Sequence, residues 1–344
     1  MELEKINKTI KYLSDKNQRI VITTHVNPDG DAIGSSLGLC EFLKLCNFKN
    51  VTVISPNDYA TFLKWMPGTD SIIIAENEFS NAEKIIQEAE LIFCLDFNDI
   101  NRTDNLKKPL YNSTAKTILI DHHPQPADSF DIAFSYINTS STAEIIFKFI
   151  QAINYDNLNK NIAACLFTGI MTDTGSFSYN CNNPETFHIC SELIKTGINA
   201  DNIHRLVYDT YSLNRMKLLG YCLNEKLTVL PEQQTAYIAL TKEELETYNH
   251  HEGDTEGVVN YALSIRNIDL AALFIEKQDH VKLSLRSIGN IDVNDFARKY
   301  FNGGGHMNAA GGKYYKDISK TIEYFKSVLN DFRKDYYNAD NLKP

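Results

Sequence analysis

The stretch Arg19–Asp31, RIVITTHVNPDGD, decides how this chain folds. Its first six residues, Arg19–Thr24, form a near-continuous β-branched run, as in a strand covered on both faces. The turn that follows gathers His25, Asp29 and Asp31 around Pro28 and Gly30, and a helix candidate, Ile33–Cys46, comes next. Four more short apolar runs repeat the strand pattern: Val51–Ile54, Ile72–Ala75, Leu91–Leu95 and Thr117–Ile120. Helical stretches such as Asn81–Glu90 lie between them. This alternation predicts an α/β fold around a parallel sheet, with ligands at the carboxyl ends of its strands. Three helices are expected afterwards, about Ser141–Ile153, Leu158–Thr172 and Pro184–Gly197.

The pattern then changes. Asn199–Asn224 reads as a helical connector, and the strands beyond it mix apolar with polar residues: Lys226–Leu230, Thr235–Leu240, Leu270–Glu276 and Val281–Ser287. A helix near Asp292–Tyr300, a glycine-rich loop and an amphipathic helix from about Asp317 follow. A chain of 344 residues exceeds the usual reach of one core, so two domains are expected. Their bounds are 1–198 and 225–344, the second a smaller α+β domain, joined by the linker 199–224.

Composition excludes several classes. With 43% hydrophobic and 23% charged residues the chain is neither disordered nor collagen-like. No apolar run approaches the ~18 residues that cross a bilayer. The start, MELEKINKTIKYLSDK, reads as a charged amphipathic helix and not as a signal peptide. Seven cysteines, an odd number without CxxC spacing, point to reduced thiols in the cytoplasm. The net charge of −10 argues against a protein that grips long nucleic acid through many phosphates. An anionic substrate must be small or held locally.

The chemistry gathers at strand ends. Asp96 follows LIFCL, Asp121-His122-His123 follows TILI, and Asp173 sits within Thr168–Phe177, TGIMTDTGSF. Taken singly each has a bland reading: Asp31 as a helix cap, Asp96 as a turn residue, the histidines as a solvated surface pair, Asp173 as a helix end. Together they form a mixed oxygen and nitrogen set on one side of a sheet. Such a set suits divalent cations, Mn²⁺ most naturally, with Mg²⁺, Co²⁺ or Zn²⁺ as competitors. The carboxylates suffice for two ions, and a pair roughly 3.5–4 Å apart is a standard device for phosphoester hydrolysis. His250-His251, beside Glu252 and Asp254, reads instead as a solvated stretch.

HVNPDGDAIGS, LDF, DHH and TDTGSF, in that order, resemble the four motifs of the DHH phosphoesterase superfamily. Gly303–Gly312, GGGHMNAAGG, with LSLRS upstream, resembles the DHH-associated C-terminal domain of RecJ-like nucleases and nanoRNase/pAp phosphatases. The chain is similar to the short, two-domain nanoRNase branch and lacks the length of a RecJ exonuclease. The resemblance implies a catalytic domain over 1–198, a substrate-binding domain over 225–344 and an active site in the cleft between them. It assigns His25, Asp29 and Asp96 to one metal, and Asp31, Asp96, His122 and Asp173 to a second, with Asp96 bridging. His123 would lean toward the substrate phosphate and Asp121 would orient its neighbours. Arg102, Arg286, Gly303, Gly304, Gly305 and His306 would bind substrate, the glycines by letting backbone N–H groups approach an anion.

The implied activity is a metal-dependent phosphodiesterase and phosphomonoesterase that cuts short oligoribonucleotides to mononucleotides and pAp to AMP. The partners expected are short RNA and pAp, with no membrane, no long duplex, and a homodimer left open. A phosphodiesterase of linear or cyclic dinucleotides remains an alternative. A family II inorganic pyrophosphatase is another, though its basic SRKKQ-like motif is absent here. A degenerate nucleic-acid-binding module is disfavoured by the intact ligand positions.

Overall fold

Each apolar run becomes a strand because alternate residues serve opposite faces. The structure, a computed structural model, describes residues 1–154, 158–251 and 253–340. Glu252, 155–157 and 341–344 therefore lie outside the described residues. The chain folds as two compact units, Met1–Thr210 and Tyr211–Pro344.

The first unit is built on six parallel strands: β1 (Arg19–Thr23), β2 (Asn50–Ser55), β3 (Ile73–Ile74), β4 (Leu91–Leu95), β5 (Lys116–Asp121) and β6 (Ile132–Ser135). Their order is β3-β2-β1-β4-β5-β6. Ile20, Ile22, Phe93, Ile118 and Ile120 pack on one face against residues of the helices Gly30–Leu45, Thr142–Asn154 and Lys160–Asp173. Val21, Ile92, Cys94 and Leu119 pack on the other against residues of Phe79–Glu88 and Lys107–Asn112. The period-two split explains why these runs read as continuously apolar. Strand β6 is the one the sequence reading missed. It is a four-residue edge strand whose burial alternates, so its apolar signal is halved.

The winding reverses between β1 and β4, so the loops leaving these two neighbours diverge at the switch point where open α/β sheets take ligands. One helix pair is drawn tightly over that point. A Cβ on Gly34 would lie 2.5 Å from the Cys165 carbonyl oxygen, and one on Gly169 would lie 2.8 Å from Asp31 Oδ1. Glycine at both places lets Gly30–Leu45 and Lys160–Asp173 touch backbone to backbone.

The expected connector holds two helices, Ala200–Tyr208 and Leu213–Tyr221, and a π-helical turn, Cys222–Lys226. The second unit has a six-stranded mixed sheet: β7 (Leu227–Leu230), β8 (Thr235–Leu240), β9 (Leu270–Glu276), β10 (Val281–Ser287), β11 (Gly304–His306) and β12 (Ala309–Tyr314). The order is β11-β12-β10-β9-β8-β7, antiparallel except for β8 with β9. Phe274, Leu283 and Leu285 meet Phe296, Phe325 and Phe332 on one face. Ile238, Leu273 and Ile275 meet Leu245, Val258 and Ala262 on the other.

The glycine-rich loop of the sequence reading is instead the β11–β12 hairpin. Glycine is demanded there by close strand packing: a Cβ on Gly303 would collide with the Gly311 carbonyl, and one on Gly305 would sit 2.5 Å from the Ala309 carbonyl oxygen. No helix among the described residues is long and apolar enough to cross a membrane.

Candidate metal centre

The loop after β1 is fixed at both ends. The Val26 amide donates to the Arg102 carbonyl at 2.8 Å, and the Asn27 amide donates to Asn57 Oδ1 at 2.6 Å. Asp29 caps the helix Gly30–Leu45, its Oδ1 accepting from the amides of Asp31 and Ala32 at 3.0 and 3.1 Å. The cap is thus Asp29, and the bland reading of Asp31 as a helix cap falls away. Only a residue outside the helix, in extended backbone, can turn its carboxylate back on the first amides. Asp31 lies inside the first turn, and its two oxygens accept from the amides of Thr142 and Ala143 at 2.6 and 2.8 Å.

Asp96 leaves β4 with a left-handed φ of +64°, a conformation that non-glycine residues hold only where their surroundings compel it. Its amide still donates to the Ile120 carbonyl on β5. Oδ2 of its carboxylate lies 3.4 Å from His25 Nε2, and Oδ1 lies 3.5 Å from His122 Nε2. His122 Nε2 is also 3.4 Å from Asp173 Oδ2 and 3.9 Å from Asp31 Oδ2. Asp173 ends its helix, and Gly175, Ser176 and Phe177 beyond it all have positive φ, turning the chain sharply away.

Two groups of donor atoms result, each mutually within 4.8 Å: His25, Asp29 and Asp96, and Asp31, Asp96 and His122. Asp96 is common to both. His25 Nδ1 donates to the Val26 carbonyl at 2.9 Å, which fixes the ring and turns Nε2 toward the cluster. A third group adds Asp121 and His123 to Asp96. His123 Nδ1 is 2.7 Å from Asp121 Oδ1, an arrangement that orients the ring.

The charges in this nest do not balance by themselves. Asp31, Asp96, His122 and Asp121 are almost wholly buried. Burial, then the carboxylates of Asp96, Asp173 and Asp29, drive Asp31 well above the usual carboxylate range. Burial, then Asp96, does the same to Asp121. Burial also pushes Asp96 up, but the His25 hydrogen bond and charge, with His122 and Arg102, hold it below its ordinary value. Burial presses His122 down against the pull of Asp96. Two unit charges 4 Å apart still interact by about 4 kcal/mol at an effective dielectric near 20, so the acids cannot all ionise unaided. Carboxylate oxygens with imidazole nitrogens are hard-to-borderline donors, and these groups fit divalent cations.

Thr142 and Glu144 escaped the sequence reading. Thr142 Oγ1 donates to Asp96 Oδ1 at 3.0 Å, while its amide holds Asp31. Glu144, fully buried, accepts from Ser140 Oγ, Thr186 Oγ1 and Lys148 Nζ at 2.8, 2.9 and 2.7 Å. The spacing Ser141-x-x-Glu144 carries a helix-start signature, and Ser141 Oγ does accept from the Glu144 amide. Nothing in that spacing says that the same helix end would clasp a carboxylate 111 residues earlier.

Arg102 lies beside this nest, its charge easing ionisation of Asp96 and Asp121. Within the second unit, strand register collects the other candidates. Arg286 stands opposite Ala309, and Ala309 stands opposite His306. The next row is Ser284, Gly311 and Gly304, a floor almost without side chains. The amides of Gly303 and Gly305 are engaged inside the unit, by the Ala297 carbonyl and by Asn294 Oδ1. His251 is exposed and its amide donates to Asp254, whereas His250 is half-buried with its Nε2 out of solvent, so the solvated reading fits only His251.

Residues 19–170 match the DHH family, N-terminal domain, and residues 234–335 match the DHHA1 domain. A Mycoplasma genitalium protein named bifunctional oligoribonuclease and PAP phosphatase NrnA is 30% identical over 93% of this chain and 95% of its own. The chain belongs to the DHH family. A Bacillus subtilis DHH relative with the same name is 29% identical over 86% of this chain and 89% of its own. The crystal structure of an exopolyphosphatase-related protein from Bacteroides fragilis superposes with a TM-score of 0.90 at 42% identity, covering 97% of each chain.

Proposed function

We propose that this DHH protein degrades short oligoribonucleotides to mononucleotides and dephosphorylates pAp to AMP, as the names of its relatives describe for them. The observation that carries the reading is the buried Asp96 carboxylate, shared by two groups of histidine and aspartate donors at a sheet switch point. His25, Asp29 and Asp96 would hold one cation and Asp31, Asp96, His122 and Asp173 the other, with Mn²⁺ the ion we assign. When bound, the cations would supply Lewis acidity and neutralise phosphoryl charge.

The side chains divide the remaining work. Asp121 accepts from Nδ1 of His123 and so sets the imidazole's tautomer. With a second proton on Nε2, the imidazolium of His123 would steady the phosphoryl oxygens or pass that Nε2 proton to the departing ribose oxygen, returning to the Nδ1–H form that Asp121 holds. Thr142 keeps Asp96 in one orientation. In the second unit the Arg286 fork takes a terminal phosphate and His306 takes a base or phosphate. The Ala309 and glycine floor leaves room for the nucleoside.

The test is purified protein with Mn²⁺, challenged in parallel with pyrophosphate, pAp, linear di-AMP, cyclic di-AMP and RNA of two to twenty-four residues. Turnover of pAp and of the shortest RNAs, ahead of the other substrates, is the expected result. Preference for pyrophosphate or for cyclic di-AMP would replace the proposal with one of its alternatives.

A further inference from the structure

Lys282 and Lys313 face each other across β10 and β12, two like charges in directly opposed positions. Such a pair costs stability on an antiparallel sheet. Neither ammonium forms an ion pair among the described residues. Asp279, in the turn before β10, has His280 as its partner at 2.6 Å, and Lys313 adds only a weaker attraction. Glu276 stands opposite Val281, on the other face, and accepts from the Lys242 amide.

Strand alternation sets the context. Val281, Leu283 and Leu285 are buried, while Lys282, Ser284 and Arg286 are half-exposed and share one face. Across that face run three rows: Arg286–Ala309–His306, then Ser284–Gly311–Gly304, then Lys282–Lys313. No residue in these rows is acidic. Four residues along an antiparallel strand span about 13–14 Å, so the lysine pair lies a few nucleotides' reach from Arg286, across a floor of small residues.

We propose that Lys282 and Lys313 form a second phosphate subsite, which holds a backbone phosphate of an oligoribonucleotide beyond the nucleotide taken by Arg286 and His306. The inference rests on the oligoribonuclease reading and adds a length-sensing element to it. Ammonium groups act as point charges without the planar demand of a guanidinium, so the subsite grips phosphate without reading sequence. pAp carries both phosphates on one nucleoside and does not extend to it. A tetramer or pentamer does.

The test compares wild type with the double variant K282Q/K313Q and the charge-preserving K282R/K313R, assaying kcat/KM on pAp and on RNAs of two to five residues with Mn²⁺ at several salt concentrations. In K282Q/K313Q the ratio of pentamer to pAp efficiency should fall by about tenfold or more, mainly through KM, with a salt slope shallower by about 0.7 for each phosphate no longer held. K282R/K313R should restore both. An unchanged length profile in an active wild type would overturn the subsite alone. Equal losses on every substrate would overturn it as well, because the lysines would then act on folding or on the shared chemistry. A wild type that cuts no RNA would overturn the oligoribonuclease reading and the subsite with it.

Discussion

The two units of this DHH protein carry their functional groups in opposite ways. In Met1–Thr210 the groups leave the ends of parallel strands, and they are acidic, crowded and buried. In Tyr211–Pro344 they stand along the antiparallel β10–β12–β11 side of the sheet, and they are basic, spaced and at least half-exposed. An end-on site converges because neighbouring strands are only about 4.8 Å apart, so single residues from several loops meet in one small volume. A face-on site cannot converge in that way, since its side chains stand parallel. It offers spacing instead, which suits an extended polyanion. The first unit is built to concentrate charge and the second to distribute it.

Breaking the concentration should cost most. Asp96→Asn removes the carboxylate common to both donor groups, and turnover should fall far beyond the roughly 10- to 100-fold typical of losing an outer partner. Bound metal, read by elemental analysis, should fall with it. Retention of two metals and several per cent of the activity would show that Asp96 bridges nothing.

On the distributed side the loss should be graded. Arg286→Ala and His306→Ala are each expected to depress kcat/KM for pAp and dinucleotides by roughly 10- to 1000-fold, the scale of one to three charge-assisted hydrogen bonds. Bis-p-nitrophenyl phosphate, which lacks a nucleoside, should suffer much less. Equal losses on both substrates would move these residues into the chemical step and weaken the contrast between the units.

Thr142→Val sharpens the contrast on the first side. It deletes the Oγ1 bond to Asp96 while keeping the amide bond to Asp31, and should cost about 10- to 100-fold in metal affinity and kcat. Thr142→Ser should restore both. A loss of thermal stability without a change in metal affinity would reduce Thr142 to a helix residue.

The smallest effect is expected at Gly34. A methyl there meets the Cys165 carbonyl at 2.5 Å, and Gly34→Ala should destabilise by about 1–3 kcal/mol, measured by urea unfolding. Because the helix pair positions Asp31 and Asp173, activity should fall with stability. Unchanged activity and stability would mean that the helices separate freely and that their close approach is incidental to the site.

Much was legible along the chain because the signals were local. Continuous apolar runs gave β1, β4 and β5 nearly to the residue, since burial on both faces leaves no polar gaps. The weak alternation of β6 hid it, and the glycines of 303–312 read as a loop although they mark a hairpin packed too closely for side chains. His25, Asp29, Asp31, Asp96, His122, His123 and Asp173 were visible because each follows a strand or ends a helix in a recognisable motif. Which of Asp29 and Asp31 caps the helix depends on backbone angles that spelling does not carry.

By itself the sequence determined which acids and imidazoles exist, that they lie next to strand or helix ends, and a net charge of −10. Tertiary structure alone decided the neighbours. It placed the Thr142 helix end against Asp31 and Asp96, and it gave Asp31 room beneath Gly169. It also aligned Lys282, Lys313, Arg286 and His306 into a basic face that no linear stripe announces. The physical reason is one of range. Strand and turn propensities act between adjacent residues, whereas a charge cluster is defined by distances that only strand register and helix packing set.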